Sequence, residues 1–541
     1  FNHMEIRKNI LLLASCCLTV SLTAQVSERQ RPAEWDNLIR GGRYMDRFLP
    51  MPAGKLSEKV WGTEDVRPRY VDNGLEHPDF SFWGGNILKG KDGQYHLFAC
   101  GWREDSPKGH MTWPKSIVYH SVSRNLHGPY VIADTIGAGH NPEAFTLVDG
   151  RIVIYVKNRN YYIANTVNGP WEHKRFGINA RDRKIIEGLS NQTFARRQDG
   201  SYLMICRGGG TWISRTGISP YNQITEKRAY PDVEGRFEDP VVWRDSLQYH
   251  LIVNDWLGRV AFYQRSKDGV RWVTEQGEAY APGISCHKDG HVEKWFKYER
   301  AKVYQDKEGR AIQMNFAVID TIKKQDKGND NHSSKNLCIP LKKDLLLSVL
   351  NTTPIQPSTP EIKVRIAAEE GFNPEKELDI PSLRFGSFTE VNFGRGCKPL
   401  SWKKQGKDLI VTFDGEGSGI TPEEFAPKLI GKDKKGDFVI GYARLPYVDY
   451  TPPILSALRP KYDDVEKLWK VEVQNFGLST SGKVVMKIIC ADKLIGETTV
   501  NELKPYEKMM VAINADAAVD KESPLIVTFN CDEKELTVNR F

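Results

Sequence analysis

Short apolar runs, each opened by a polar residue and followed by a turn, recur along the chain. Asn86-Ile87-Leu88 leads through Asp92-Gly93 to Tyr95-His96-Leu97, and Asn141-Pro142-Glu143-Ala144-Phe145 leads through Asp149-Gly150 to Arg151-Ile152. Asn191-Gln192-Thr193-Phe194 leads through Asp199-Gly200 to Ser201-Tyr202-Leu203, and Asp239-Pro240-Val241-Val242 precedes Tyr249-His250-Leu251. Arg300-Ala301-Lys302-Val303 leads through Glu308-Gly309 to Arg310-Ala311. The Gly steps read as hairpin turns, because glycine tolerates the positive φ of a tight turn. Runs such as Ile117-Val118-Tyr119-His120, Tyr161-Tyr162-Ile163-Ala164, Trp212-Ile213-Ser214 and Val260-Ala261-Phe262-Tyr263 supply third strands, with a fourth after most. Four antiparallel strands per unit, five units and a period of roughly fifty residues predict a five-bladed β-propeller over 75–351. The first strand of each blade lines the axis, so its first residues rim a shared pocket.

The pattern outside the propeller is different. Residues 25–74 are irregular and rich in Arg and Pro, an extension that wraps a blade or helps close the ring. Thr352-Thr353-Pro354-Ile355-Gln356-Pro357-Ser358-Thr359 reads as a linker. Runs such as Asp408–Phe413 and Phe438–Tyr442 predict a β-domain over 360–451. After Pro452-Pro453, alternation in Trp469–Val473, Val484–Ile489 and Leu525–Phe529 predicts an immunoglobulin-like sandwich over 454–541. The expected class is thus all-β: a five-bladed propeller followed by two small β-sandwich-like domains. Neither C-terminal domain concentrates catalytic side chains, so both read as spacers, binding or docking modules.

Residues 1–24 read as a leader. Phe1–His3 precede a start methionine, Arg7 and Lys8 give a charged start, Ile10–Val20 an apolar centre, and Leu22-Thr23-Ala24 a cleavage site. The apolar run is too short to span a bilayer, and there is no other candidate span. The expectation is export to the periplasm or beyond, with lipoprotein anchoring through Cys16 ranked second. A net charge of +7 without a dense Lys/Arg block argues against nucleic acid and suits an anionic polymer. Cysteines beyond the leader are scattered without a CxxC, so no metal cluster is expected. Cys490–Cys531 is the best disulfide candidate, with separate buried thiols equally open.

Candidate chemistry sits at the inner-strand starts. Glycoside cleavage needs a proton donor at the leaving oxygen and a base or nucleophile across the ring. Asp79, before the blade-one strand, is the candidate base, set against a turn-capping role. Asp239 opens a buried-looking strand, where an unpaired carboxylate is costly, so a functional role is favoured over a turn cap. His291 is a candidate proton donor or ligand-binding imidazole, since imidazole titrates near working pH, set against a solvated loop histidine after Asp289-Gly290. Glu299 and Arg300 open the fifth inner strand, to orient His291 and grip a sugar hydroxyl or carboxylate, or to form a structural ion pair. Glu238, Asn86, His140, Asn141, Glu143, Glu187, Asn191 and Gln192 mark blade entrances as substrate-binding candidates; the Asn and Gln side chains suit hydroxyl recognition or equally cap the strand starts. Trp83 offers a stacking face and Arg207 an anion contact, each set against an ordinary packing or surface role. No cofactor is required, and a central structural cation is possible.

This arrangement resembles the glycosidases of families 43 and 117, and more loosely families 32 and 68. Family 43 places Asp-Pro, Asp and Glu-Gly-Pro at the first three inner-strand starts. Here those places hold Gly84, Gly85 or Asn86, then Asn141, then Asn191, while Glu187-Gly188 lies four residues early. Family 117 uses a blade-four Asp and a blade-five His followed eight positions later by Glu, which Asp239, His291 and Glu299 match. The resemblance implies an exo-acting glycoside hydrolase on a complex or anionic plant or algal polysaccharide. Two readings stand beside it: a polysaccharide lyase with His140 or His291 as base, and a propeller that binds glycan without turnover. Oligomeric state is left open by the sequence.

Overall fold

The computed structural model describes residues 26–57, 60–185, 189–225, 227–515, 523–531 and 534–541. The expected leader, with Cys16, lies outside them. Five sheets follow one another from Phe80 to Pro340, antiparallel except in the third, whose extra strand Ile178–Asn179 pairs parallel with Tyr221–Thr225. Their innermost strands are β1 (Phe80–Lys89), β2 (Glu143–Thr146), β3 (Thr193–Arg196), β4 (Phe237–Arg244) and β5 (Lys297–Gln305). The hairpin leaving each inner strand turns on an aspartate whose Oδ1 accepts the backbone N–H two residues on. These are Asp92 from Gln94, Asp149 from Arg151, Asp199 from Ser201, Asp245 from Leu247 and Asp306 from Glu308, all at 2.8–3.0 Å. The carboxylate mimics a backbone turn, so the repeat seen in sequence is an aspartate repeat. Glycine follows it only where φ must be positive, as at Gly93 with φ 79°.

The sheets pack into one ring. Tyr155, Phe194, Tyr202 and Trp212 interlock blades two and three, and Trp243, Tyr263, Tyr280, Trp295 and Phe316 interlock blades four and five. Side chains also clasp neighbouring inner strands at one repeated level. Asn86 exchanges two bonds with the backbone of Ala144 (2.9 and 2.7 Å), Glu143 Oε1 accepts from Phe194 N–H (3.0 Å), and Thr193 Oγ1 accepts from Val242 N–H (3.0 Å).

Blade five departs from the four-strand expectation. It has three strands, Lys297–Gln305, Ala311–Ile319 and Ser334–Pro340. Leu75, from the chain before blade one, exchanges both backbone hydrogen bonds with Asn336 on the outermost of them (3.0 and 3.1 Å). First and last parts of the propeller are thereby tied together, and Asn73 of the N-terminal extension reinforces the join by exchanging two bonds with the backbone of Cys338 (2.8 and 2.9 Å). Removal of residues 26–75 is expected to yield insoluble protein, checked by solubility and circular dichroism.

Leu345–Val349, inside the range assigned to the propeller, belongs instead to the next domain. It pairs antiparallel with Glu361–Ile366 and parallel with Phe438–Arg444 in a seven-stranded sheet. The sheet curls until its edges meet at a Phe385–Cys397 bridge, around a core that includes Ile362, Val364, Val411 and Phe413. It is a closed curl rather than two facing sheets. A buried ionic knot fixes it to blade four: Glu275 contacts Arg265 (2.7 Å), Lys428 (2.8 Å) and the Tyr442 hydroxyl (2.7 Å). Burial alone would raise the Glu275 carboxyl, but Lys428 and Arg265 outweigh it and hold it at about 2. The last domain is a two-sheet sandwich with Trp469, Val471, Met486, Ile488, Val527 and Phe529 between its layers.

All seven described cysteines are free. Cys490 pairs with Leu525 in register, and Cys531 lies six residues further along that strand, roughly 20 Å away and far beyond disulfide reach. No described helix is long and apolar enough to cross a membrane.

Candidate functional site

Each inner strand meets the axis through one residue in the left-handed region: Gly84 (φ 64°), Asn141 (53°), Asn191 (50°), Asp239 (54°) and Arg300 (51°). Gly, Asn and Asp tolerate that conformation, whereas an arginine there is strained by roughly 1–2 kcal/mol. The five form a ring. Asn141 Nδ2 donates to Asn191 Oδ1 (2.8 Å), and Asn191 Nδ2 donates to Glu238 Oε1 (3.0 Å). Arg300 N–H and Nη1 both donate to the Asp239 carboxylate (3.2 Å each). Gly84 completes the circle between Arg300 and Asn141, each 3.6 Å from where a Cβ would stand. Blade one therefore contributes backbone, not a side chain, at the axis.

Three carboxylates meet on one side of this ring. Asp239 and Glu299 are buried, with side chains 3% and 2% exposed, while Glu238 reaches solvent at 22%. Glu299 is held between Lys323, which bonds Oε2, and Lys297, whose Nζ lies 3.7 Å from Oε1. Arg207 Nη1 approaches Glu238 at 3.5 Å. These placements push the acids apart. Burial raises the Glu238 carboxyl to about 7, reinforced by Asp239 and Glu299 and opposed by Lys323 and Arg207. Burial would raise Glu299 as well, but Lys323 and Lys297 outweigh it and bring it below the ordinary glutamate range. Asp239 is raised by burial and by Glu299, against the Arg300 charge.

Several buried polar atoms here have no hydrogen-bond partner among the described residues: Arg300 Nε and Nη2, Asn141 Oδ1, and both amide atoms of Asn254, which faces Glu238 across the hairpin. Buried polar groups are nearly always paired, so such a concentration marks a place where something polar is met. Aromatic faces ring the same end, each under a lysine ammonium: Trp83 below Lys323 (4.9 Å), Trp256 below Lys297 (5.0 Å) and Trp113 below Lys157 (5.1 Å).

Deeper along the axis, Lys302 of blade five forms a buried ion pair with Glu143 of blade two. That pair borders a cavity of about 220 Å³ lined by all five inner strands or their immediate neighbours. Among the described residues, no group of three or more His, Cys, Asp or Glu is placed to hold a metal ion.

The expected residues divide. Asp239, Glu299, Arg300, Glu238, Asn141, Asn191, Arg207 and Trp83 converge at the mouth. His140 sits beside them, its Nδ1 2.9 Å from Ser116 Oγ and its ring against Trp113 (4.9 Å). Burial first, then Arg300, Lys157 and Lys323, hold its imidazole well below the usual range, so it is neutral. Asn86 and Glu143 are clasp residues two positions below the ring, and Gln192 donates to the Leu189 carbonyl (3.0 Å). Glu187 lies outside the described residues.

Asp79 and His291 do not join the site. Asp79 is an exposed turn residue five positions before Gly84; its N–H donates to His77 Nδ1 (3.1 Å) and its carbonyl accepts from Glu104. Blade one's inner strand runs on past it before reaching the axis, which removes it as the base. His291 sits on the Asp289-Gly290 turn, its Nε2 donating to the Pro68 carbonyl (2.7 Å) and its ring edge-on to Tyr70. The loop holding it packs on the N-terminal segment, so eight residues of sequence do not bring it to Glu299. Lys323, Lys297 and Asn254 were not anticipated. Lys323 comes from the loop between the last two propeller strands, where no repeat marks it.

No protein-family model and no curated protein matches the chain. Solved structures similar to it include a family 117 glycoside hydrolase of Zobellia galactanivorans, at 12% identity over 53% of this chain and 89% of that one (TM-score 0.34). An endo-arabinase of Bacteroides thetaiotaomicron is similar at 12% identity over 48% and 94% (0.31). An α-L-arabinofuranosidase of Lactobacillus brevis is similar at 12% over 48% and 90% (0.34). At such scores the likenesses decide nothing about chemistry, which rests on the residues themselves.

Proposed function

We propose that the chain is a glycoside hydrolase acting on an anionic polysaccharide, with Glu238 as proton donor and Glu299 as the carboxylate that activates water or attacks the sugar. One observation carries this reading: two neighbouring glutamates at the axial mouth are driven in opposite directions, one protonated near neutrality and one kept ionised. Acid and base roles separate in that way when environments push paired titratable groups apart. Glu238 protonates the leaving oxygen as the glycosidic bond breaks. Glu299, locked by Lys323 and Lys297, takes the opposite role. Asp239 and Arg300 form the floor and hold the ring's shape.

Arg207, Lys157, Lys297 and Lys323 favour a substrate bearing carboxylate or sulfate groups, and the partly exposed faces of Trp113 and Trp256 suit sugar rings, while Trp83 is buried in the core. The buried Asp239–Arg300 floor supports exo-action, since it favours entry by a chain end. The leader pattern supports work outside the cytoplasm. The asparagines at Asn141 and Asn191 favour a second reading, a propeller that binds glycan without cleaving it.

The deciding experiment is a screen of uronate-containing and sulfated oligosaccharides for released reducing ends. No turnover with any, together with tight binding, would select the second reading, and an ultraviolet-absorbing unsaturated product would select a lyase. Lys323→Met supplies a sharper check. Without that ammonium Glu299 holds its proton to higher pH, so the acid limb of kcat/KM is expected to move upward. An unmoved acid limb would remove Glu299 from the mechanism.

A further inference from the structure

The strand Pro399–Gln405, here β6, is an edge of the curled seven-stranded sheet, and residues 400–407 are all exposed. Leu400 and Trp402 show 55% and 48% of their surface to solvent. Trp402 pairs in register with Val411, which is fully buried. Paired residues share a face, so the indole lies on the core side of the sheet, past the point where the core ends. It is flanked by Lys398, Lys403, Lys404 and Lys407, with no acid among residues 398–407. Lys404 has one acidic partner, Glu375 at 3.7 Å; the other three lysines have no ion-pair partner among the described residues.

A half-exposed indole costs solubility, and Trp402 is not among the side chains that build or pack on the domain's core, whereas its face can take the apolar side of a pyranose ring. Lys404 on the indole's own face, with Lys398 and Lys407 at the two ends of the strand, supplies positive charge for carboxylate or sulfate substituents, while Lys403 lies on the opposite face. A single aromatic on a short edge strand gives little apolar area to bury in a bilayer, compared with an amphipathic helix. We propose that β6 is a second glycan-binding site, distinct from the axial mouth, that takes a stretch of anionic polysaccharide. Its choice of ligand rests on the function proposed above; its geometry does not.

The test measures binding of the full chain to polygalacturonate and dextran sulfate by affinity electrophoresis, with uncharged dextran as control. Binding to at least one anionic polymer is expected, weakening with salt. Trp402→Ala is expected to weaken it by about tenfold, and Lys404→Ala with Lys407→Ala by a comparable factor. Hydrolysis of a short oligosaccharide by these variants should be unchanged. Retention of affinity in both variants would overturn the proposal. So would Trp402-dependent binding to phosphatidylglycerol vesicles in preference to polymer, or a Trp402-dependent dimer on size-exclusion chromatography. Glu238→Gln protein should bind the polymer as the parent does, so loss of the hydrolase reading and loss of this site are separate results.

Discussion

Glu238→Gln is expected to lower kcat/KM by about 10²–10⁴-fold with the melting temperature nearly unchanged. A positioned general acid contributes roughly that factor, and glutamine keeps the shape and the Asn191 contact without a transferable proton. Glu238 is partly exposed, so exchanging its carboxyl for an amide leaves no buried charge unpaired. The pH profile gives an independent reading. The acid works only while protonated, and its carboxyl lies at about 7. Activity should therefore fall as pH rises through neutrality. At the other end Glu299 must be ionised, and its lowered carboxyl keeps that limb on the acid side of an ordinary glutamate. Full activity of Glu238→Gln on a substrate with a poor leaving group would assign the proton to another residue.

Much of this was legible along the chain, because the repeat writes itself in residues that do one job five times. The hairpin aspartates are such residues, and so are the strand-opening Asn141, Asn191 and Asp239. What failed were the places where the repeat says nothing. Gly84 carries the axial role in blade one through backbone conformation, which has no side chain to notice. His291 and Glu299 are eight residues apart, and only the path of the intervening loop decides whether they meet. Lys323 and Lys297 matter because their charges act in a largely buried place, and neither a loop lysine such as Lys323 nor a lone strand-opening lysine such as Lys297 leaves a periodic trace. The Leu345–Val349 strand looked like propeller for a related reason: an apolar run identifies a strand, not the sheet that receives it.

Arg300→Ala is expected to cost about 3–5 kcal/mol of stability, the usual result of removing one partner from a buried ion pair. Asp239 would be left among Glu238 and Glu299 with no guanidinium against it. Arg300→Gly should suffer less, by roughly 1–2 kcal/mol, because glycine adopts the left-handed backbone at this position without strain while alanine does not. The order parent, then Gly, then Ala in urea denaturation separates the charge contribution from the backbone contribution. The pH dependence has a definite sign. With Arg300 gone, the Asp239 carboxyl, already raised by burial, rises further. The folded variant then binds a proton more tightly than its unfolded chain, so its deficit grows as pH rises and shrinks as pH falls and Asp239 becomes neutral. A deficit independent of pH would mean that Arg300 stabilises the ring by packing alone, and an Ala variant as stable as Gly would mean that the axial backbone relaxes.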